Sequence, residues 1–391
     1  MAGELLIAEL LISAGPGEWR AAWVEGGEAR ELYVERGDTR PAGSRHLGRV
    51  VRVVPGLDAA LIDIGDERPG FLPLRDVPEG AKAEEGARLF VEVRREAWAD
   101  KAPRLTGKLA AGDLPALAAR AARLDPPAQL FPPPGLAAAL ALRLPGAPER
   151  IVADDAAVLA ELRGAFREAE VRQSSAEDWA VDLDAAFTAG LAPSLTLRGG
   201  GTVHFEDTRA AMLVDVDTGT PETGSAERVA LAANLAAAEL IARQLRLRNI
   251  GGAVVIDFVG LDRRGARERV RQALEDALAG DPATPQLLGW TRLGHLELVR
   301  KRRGRSLADA LLEPGSPRPQ PVALAHEALR RLSREARANP AANWRLAAAP
   351  GVVAALRGPA EAALRALETR LGRRVALHAE SDRDGFDIAA I

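Results

Sequence analysis

The stretch AAMLVDVDTG, residues 210–219, then a helically spaced run from about Ala226 to Arg248, then GAVVIDF, residues 252–258, decides the fold class. Each flank is an apolar run of strand length. The segment between is long enough for a sheet-packing helix, with Leu231, Leu235, Ala238 and Leu245 on one stripe. The alternation continues outward. Upstream stand ERIVADD, AAVLAELRGAFREA and TLRGGGTVHFED; downstream come another long helical run and a strand near PQLLGW. Strand and helix in alternation from Ile151 onward imply an α/β layout around a central sheet.

Nearer the N-terminus the pattern changes. Residues 1–38 break into short pieces (LLIAELLIS, WRAAWVE, ARELYVER) joined by glycine-containing turns, which read as strands that form no complete domain alone. From Gly43 to about Leu109, GRVVRVV, a Pro55-Gly56 turn, DAALIDIG, ERPGFLPL and RLFVEVRREAW have the spacing of a small barrel. Residues 110–150 contain the breaker cluster LDPPAQLFPPPG, which should stop any helix. Beyond Pro314 a proline-rich linker, EPGSPRPQP, leads to a unit of helix, strand, helix, strand and a final GFDIAAI strand. With 391 residues, 47% of them hydrophobic, the chain exceeds the roughly 250–300 residues at which single cores stop growing. The expected class is α/β (α+β) with several subdomains.

The carboxylates carry the chemistry. Asp215 and Asp217 alternate with Val214 and Val216, so the two acids share one face of their strand. The run AVVIDF ends at Asp257. If the two strands are neighbours, three carboxylates meet at one edge of the sheet and suit a hard cation, magnesium or manganese. Taken singly, each acid has a plainer reading: Asp257 as a turn or helix N-cap, and Asp217-Thr218-Gly219 as an Asx turn. A calcium loop is excluded, because the sixth position from Asp215 is Thr220 instead of Gly and the twelfth is Ala226 instead of Glu. A haloacid-dehalogenase-type phosphatase, with Asp215 as nucleophile and Asp217 as general acid, would need a downstream lysine and acidic pair, for which Lys301 and Asp382/Asp384 are the candidates.

Composition removes other classes. There is no cysteine, so disulfides, thiolate nucleophiles and cysteine-based zinc sites are excluded. The five histidines, His46, His204, His295, His326 and His378, have no spacing that sets two on one helix face, so a histidine zinc site is not expected either. Lysine occurs only at Lys82, Lys101, Lys108 and Lys301; nearly all positive charge is arginine, whose planar fork suits phosphate, although GC-rich codon usage explains the bias equally well. The longest apolar runs, such as Leu136 to Leu142, fall well below the ~20 residues of a membrane span. The opening MAGELLIAELLIS lacks a basic n-region and is interrupted by Glu4 and Glu9, so it reads as a core strand of a cytoplasmic protein.

In order and spacing, GRVVRVVPGLDAALIDIGDERPGFLPL, DKAPRLT, MLVDVDTG, ANLAAAELIARQLRLRNIGGAVVIDF and TRLGHLELVRKRRGRSL resemble the ribonuclease E/G family over nearly the whole chain, apart from one gap. The resemblance implies an RNase-H-like subdomain in two parts, residues 1–38 and 111–195, with an RNA-binding OB-fold barrel inserted at 39–110. It further implies a DNase-I-like catalytic subdomain at 196–312, and a linker with a small C-terminal domain at 313–391. Asp215 and Asp257 match the two magnesium ligands, with manganese as the alternative ion and no zinc. Asp217 stands where the family more usually has an Asn that orients the attacking water. Phe71 matches an aromatic that packs on RNA, with a place in the barrel core as its plainer reading, while Leu61 and Ile64 stand in place of two other aromatics. Lys101 matches a basic residue near the scissile RNA, and Arg292, Arg300 and Arg302 are candidate phosphate contacts or a solvated helix face.

The expectation is a magnesium-dependent endoribonuclease that hydrolyses phosphodiester bonds in single-stranded RNA, in rRNA or mRNA processing or decay. Two departures qualify it. After RLTGKLA the segment that senses an RNA 5′-monophosphate has no counterpart, so stimulation by a 5′-phosphate is not expected. The zinc-linking Cys-Pro-x-Cys motif is replaced by LLEPGSPRPQ, Leu311 to Gln320, so a zinc-linked tetramer is not expected. The C-terminal unit leaves a homodimer open, and no long scaffold segment is expected. The alternative from another class is a non-catalytic RNA-binding or ribosome-related factor that keeps the fold; retention of both ligand aspartates speaks against it.

Overall fold

A computed structural model describes residues 7–36, 42–66, 68–78, 80–97, 102–131, 136–141, 143–219, 225–261 and 263–391. Two compact units result, one from residues 1–36 with 145–391 and the other from residues 37–144.

The first unit begins with β1 (Ala8–Gly15), β2 (Glu18–Glu25) and β3 (Glu28–Arg36), consecutive antiparallel strands. Leu10, Leu11 and Ile12 are almost fully buried, so the opening apolar run is a core strand. The second unit is the barrel. It comprises β4 (Arg45–Val54), β5 (Ala59–Asp63), β6 (Gly70–Pro73), β7 (Arg88–Arg95) and β8 (Arg104–Thr106), ordered β5-β6-β8-β7-β4 and closed by pairing of β4 with β5. Val50, Ile62, Ile64, Leu72, Val91, Val93 and Leu105 fill its interior. After α1 (Leu114–Ala121), a short strand β9 (Ala128–Phe131) pairs with β4, and α2 (Leu136–Ala141) follows. The unit therefore runs past residue 110, where sequence alone puts the barrel's end. A four-residue strand between prolines offers no periodicity to read; its ladder to β4 and the packing of Leu130 beside Leu47 tie it to the barrel.

The first unit resumes with β10 (Arg150–Ala153), α3 (Ala156–Ala165), β11 (Glu170–Gln173) and α4 (Leu183–Leu191). β10 pairs parallel to β1 and β11 parallel to β10, giving a five-stranded sheet ordered β11-β10-β1-β2-β3. A second sheet carries the candidate site. Its elements are β12 (Ser194–Thr196), β13 (Thr202–Asp207), β14 (Ala211–Asp217), α5 (Ala226–Leu247), β15 (Gly252–Asp257), α6 (Arg264–Leu278), β16 (Gln286–Trp290) and β17 (Leu296–Arg300), in strand order β12-β13-β14-β15-β17-β16. Val203, Phe205, Val214, Val216, Val254, Ile256, Leu296 and Leu298 share a core with Ala237, Ile241, Leu245, Val270 and Leu274, so both helices cover one face. Period-two alternation then turns His204, Asp215, Asp217 and Asp257 to the other face.

The buried stripe of α5 sits one position away from the one read in the sequence. Ala230, Asn234, Ala237, Ala238, Ile241 and Leu245 are buried, whereas Leu231 and Leu235 are only partly covered. Hydrophobicity hides this, because the stripe is centred on a fully buried asparagine. The Asn234 amide donates to Val259 O (2.8 Å) and accepts from Val259 N (3.0 Å), so both its hydrogen-bonding ends are used on the backbone just past Asp257.

After α7 (Leu307–Leu311), the chain ends with α8 (Pro321–Ala338), β18 (Trp344–Ala348), α9 (Pro350–Leu356), α10 (Glu361–Leu371), β19 (Val375–Ala379) and β20 (Phe386–Ala390), in a sheet ordered β19-β18-β20 with its own core. The sequence reading had one helix between β18 and β19. Pro359, which has no N–H to donate, lies in the break between α9 and α10.

Candidate active site on the open face of the second sheet

β14 and β15 are parallel neighbours, and their register sets Asp215 directly beside Asp257. Adjacent strands lie about 4.8 Å apart, so the carboxylates stand side by side at the ends of two strands. Both are exposed, and Asp217 is exposed on the same face two residues further along. Among the described residues the Asp215 carboxylate has neither an ion pair nor a hydrogen bond, and no Lys or Arg pairs with Asp217 or Asp257. An acid pair left without cations at the end of two buried strands is unfavourable through mutual repulsion unless something positive joins it.

Asp217 is held by its own turn. Its Oδ1 accepts from Gly219 N at 2.9 Å, the Asx arrangement that its sequence allowed. Gly201 presses against the same turn: a Cβ there would lie 2.3 Å from the Asp217 carbonyl oxygen, so only glycine fits.

A row of side chains crosses the sheet on this face. Register pairs Ser194 with His204, His204 with Asp215, and Asp215 with Asp257. Ser194 Oγ lies 2.7 Å from His204 Nδ1. On the far side His295, just ahead of β17, brings Nε2 to 3.8 Å from Asp257 Oδ2. His295 closes a hairpin in which Thr291 N donates to His295 O (2.8 Å) and His295 N donates to Thr291 Oγ1 (3.1 Å), with Arg292 and the exposed Leu293 at the tip. Neither histidine was singled out from sequence for this face. The available signal was parity: His204 alternates with the buried Val203 and Phe205 next to a strand that carries the acids.

The three arginines read as phosphate contacts separate. Arg292 is exposed and lies at the aspartate end of the sheet. Arg300 is 1% exposed; it alternates with Leu296 and Leu298 and so points to the helix-covered side. Its guanidinium donates to Asp281 (2.7 and 3.1 Å) and to Ile250 O (2.7 Å), which makes it a structural pin with no face toward a ligand. Arg302 lies against Gly252, where a Cβ would meet its Nη2 at 2.8 Å. Gly252 starts β15 and Asp257 ends it, so Arg302 sits about 16 Å of strand away from the acids. Near it, burial and then Asp309 raise the carboxyl of Asp207, while Arg302 pulls it down.

On the barrel, taken by itself, Leu72 points into the core while Phe71, on the opposite parity, is half-buried and outside it. Register runs Arg52, Leu61, Phe71, Arg104 and Arg95 across neighbouring strands. None of the three arginines makes an ion pair among the described residues. Ile64, by contrast, is 1% exposed in the barrel core. Lys101 lies outside the described residues.

A family model described as "Ribonuclease E/G family" matches residues 148–303, which hold the whole acid-bearing sheet. Ribonuclease G of Salmonella typhimurium (strain SL1344) is 25% identical over 488 residues, covering 98% of this chain and 99% of its own. Over that sheet the chain is similar to the ribonuclease E/G family. Ribonuclease G of Escherichia coli (strain K12) is likewise 25% identical, with 98% and 99% covered. Ribonuclease E of Nostoc sp. (strain PCC 7120) is 28% identical over 72% of this chain and 54% of its own. The first alignment spans 488 positions against a chain of 391 residues, so roughly a hundred positions of that ribonuclease G have no counterpart here. Among the described residues, no helix is long and apolar enough to cross a membrane.

Among the described residues no three His, Cys, Asp or Glu side chains gather closely enough to hold a metal alone. Magnesium does not ask for that: it binds through one or two carboxylates and fills an octahedral shell with waters and substrate phosphate. Two adjacent, exposed carboxylates that no Lys or Arg pairs with among the described residues fit such an ion.

Proposed function

We propose that the protein is a magnesium-dependent endoribonuclease that hydrolyses phosphodiester bonds in single-stranded RNA without sensing a 5′-monophosphate. The observation that carries this reading is the register pairing of Asp215 with Asp257, both exposed, at the ends of adjacent parallel strands. The similar proteins named ribonuclease G and ribonuclease E support a ribonuclease.

Asp215 and Asp257 would hold the ion, with manganese able to replace magnesium. When bound, the ion supplies an acidified water and neutralises charge on the phosphate. Asp217, with Oδ1 occupied by Gly219 N, has Oδ2 left to accept from the attacking water and orient it. Attack forms a new P–O bond while the P–O3′ bond breaks, and the proton released by the water ends on O3′, leaving a 5′-phosphate and a 3′-hydroxyl. A carboxylate at position 217 also accepts a proton more readily than a neutral amide would. On the barrel, Phe71 offers a ring for stacking, and the flanking arginines offer forks for the RNA backbone. We read the five-stranded sheet as RNase-H-like, since three antiparallel strands continue into two parallel ones, and the acid-bearing sheet as DNase-I-like.

The test is incubation of an end-labelled single-stranded RNA with the full chain and magnesium. Internal cleavage that EDTA abolishes, with 5′-phosphate product ends and equal rates on 5′-hydroxyl and 5′-monophosphate substrates, is the expected result. Binding without cleavage, under magnesium and manganese alike, would overturn the reading.

A further inference from the structure

The acid face has an electrostatic difficulty that the proposed reaction leaves open. Asp215, Asp217 and Asp257 put three carboxylates at one end of the sheet, and the substrate that must approach them is itself an anion. Charge from the ion offsets part of this. The rest must come from donors that face the phosphate, and of the three arginines considered only Arg292 lies at this end.

Imidazoles stand on both sides of the acid pair. His204 is one strand away from Asp215, in direct cross-strand register. Residues so opposed have Cβ atoms about 4.5–5.5 Å apart. Ser194 Oγ engages its Nδ1 at 2.7 Å, which fixes the ring and leaves Nε2 for a second partner. His295 is one strand away from Asp257 on the opposite side. Its Nε2 lies 3.8 Å from Asp257 Oδ2, within ion-pair reach yet too far for a hydrogen bond, and neither ring nitrogen has a hydrogen-bond partner among the described residues. The hairpin bonds to Thr291 hold its backbone at both N and O, so the ring is carried by an ordered turn. The row thus reads donor, acid, acid, donor across three neighbouring strands and the hairpin that leads into the fourth.

We propose that His204 and His295 are substrate-binding residues that donate imidazole N–H groups to phosphate oxygens of the RNA from the two sides of the Asp215/Asp257 pair. His295, nearest the acids, touches the scissile phosphate, and His204 grips the backbone beside it. The proposal rests on the nuclease reading above and assigns two further contacts to it.

The experiment uses the full chain with His295→Leu, His295→Gln, His204→Val and Asp257→Asn, measuring kcat and KM on single-stranded RNA, RNA affinity in EDTA, and melting temperature. A hydrogen bond to a charged group corresponds to roughly a tenfold rate effect or more. His295→Leu should lower kcat by about that factor at unchanged melting temperature. His295→Gln, which keeps an N–H at similar reach, should recover most of the loss. His204→Val should act chiefly on KM and on RNA affinity. If both apolar variants cleave within about twofold of wild type while Asp257→Asn is inactive, the histidine proposal fails and the nuclease reading stands. If His295→Gln is as slow as His295→Leu, the donor role fails. Absence of cleavage by the unaltered chain would overturn both.

Discussion

Two cross-strand rows in this molecule are built on the same geometry and carry opposite chemistry. On the open face of the helix-backed sheet, register lines up Ser194, His204, Asp215 and Asp257. Across the barrel it lines up Arg52, Leu61, Phe71, Arg104 and Arg95. The first row suits a cation and through it a phosphate; the second suits a polyanion directly, with a ring between positive charges. A sheet makes a surface by aligning residues from distant parts of the chain, and the sign of the charge placed there decides whether the row reacts or grips.

The difference can be broken from the acid side first, where the largest effect is expected. Asp215→Asn removes one of two carboxylates from the ion, and cleavage should fall by about a hundredfold or more because several kcal/mol of transition-state stabilisation depend on it. A melting temperature equal to or above wild type should accompany the loss, since the Asp215 carboxylate has no bonding partner among the described residues to forfeit.

A second effect separates structure from recognition among the arginines. Arg300→Met strips a buried Asp281 of its partner and should cost about 3–5 kcal/mol of stability, measured by denaturant unfolding. At temperatures where the variant is folded, RNA affinity should be unchanged; an RNA defect without a stability loss would return Arg300 to the binding surface.

The basic row answers to smaller changes. Phe71→Ala should weaken single-stranded RNA binding by about 1–3 kcal/mol with little effect on kcat. Each of Arg52→Gln, Arg95→Gln and Arg104→Gln should reduce the slope of log affinity against log salt by about 0.7, as expected for one released counterion on a single strand. An unchanged slope in all three would remove the row from the RNA path. The smallest change is Asp217→Asn: the amide oxygen has two lone pairs, one for Gly219 N and one for the attacking water, one negative charge is lost from the acid face, and cleavage should stay within roughly threefold of wild type.

These rows also show how far sequence carries the argument. Period-two alternation identifies which residues of one strand share a face, so Asp215 with Asp217, and the strand ending at Asp257, are legible directly. It would have served for Arg300 too, since 296, 298 and 300 have one parity, but the charge of the residue outweighed its position. What alternation along one strand cannot supply is the neighbour across the ladder, which depends on register between segments far apart in the chain. His295, Arg52, Arg95 and Arg104 escape for that reason, and for His204 parity gives the face but not the acid beside it. Asn234 escapes for another: a buried amide that pins Val259 looks in a helical pattern like a polar interruption of the apolar stripe. The short β9, enclosed by prolines, offers no pattern of either kind.

The separation of the two rows is tested most directly with Asp257→Asn in the full chain, by measuring cleavage and RNA affinity on the same single-stranded RNA in magnesium. The account predicts that cleavage is lost while affinity stays within about threefold of wild type, because the barrel row grips RNA without the acids. Cleavage that survives the substitution, or affinity that collapses with it, would contradict the assignment of reaction to the acid row and grip to the basic one.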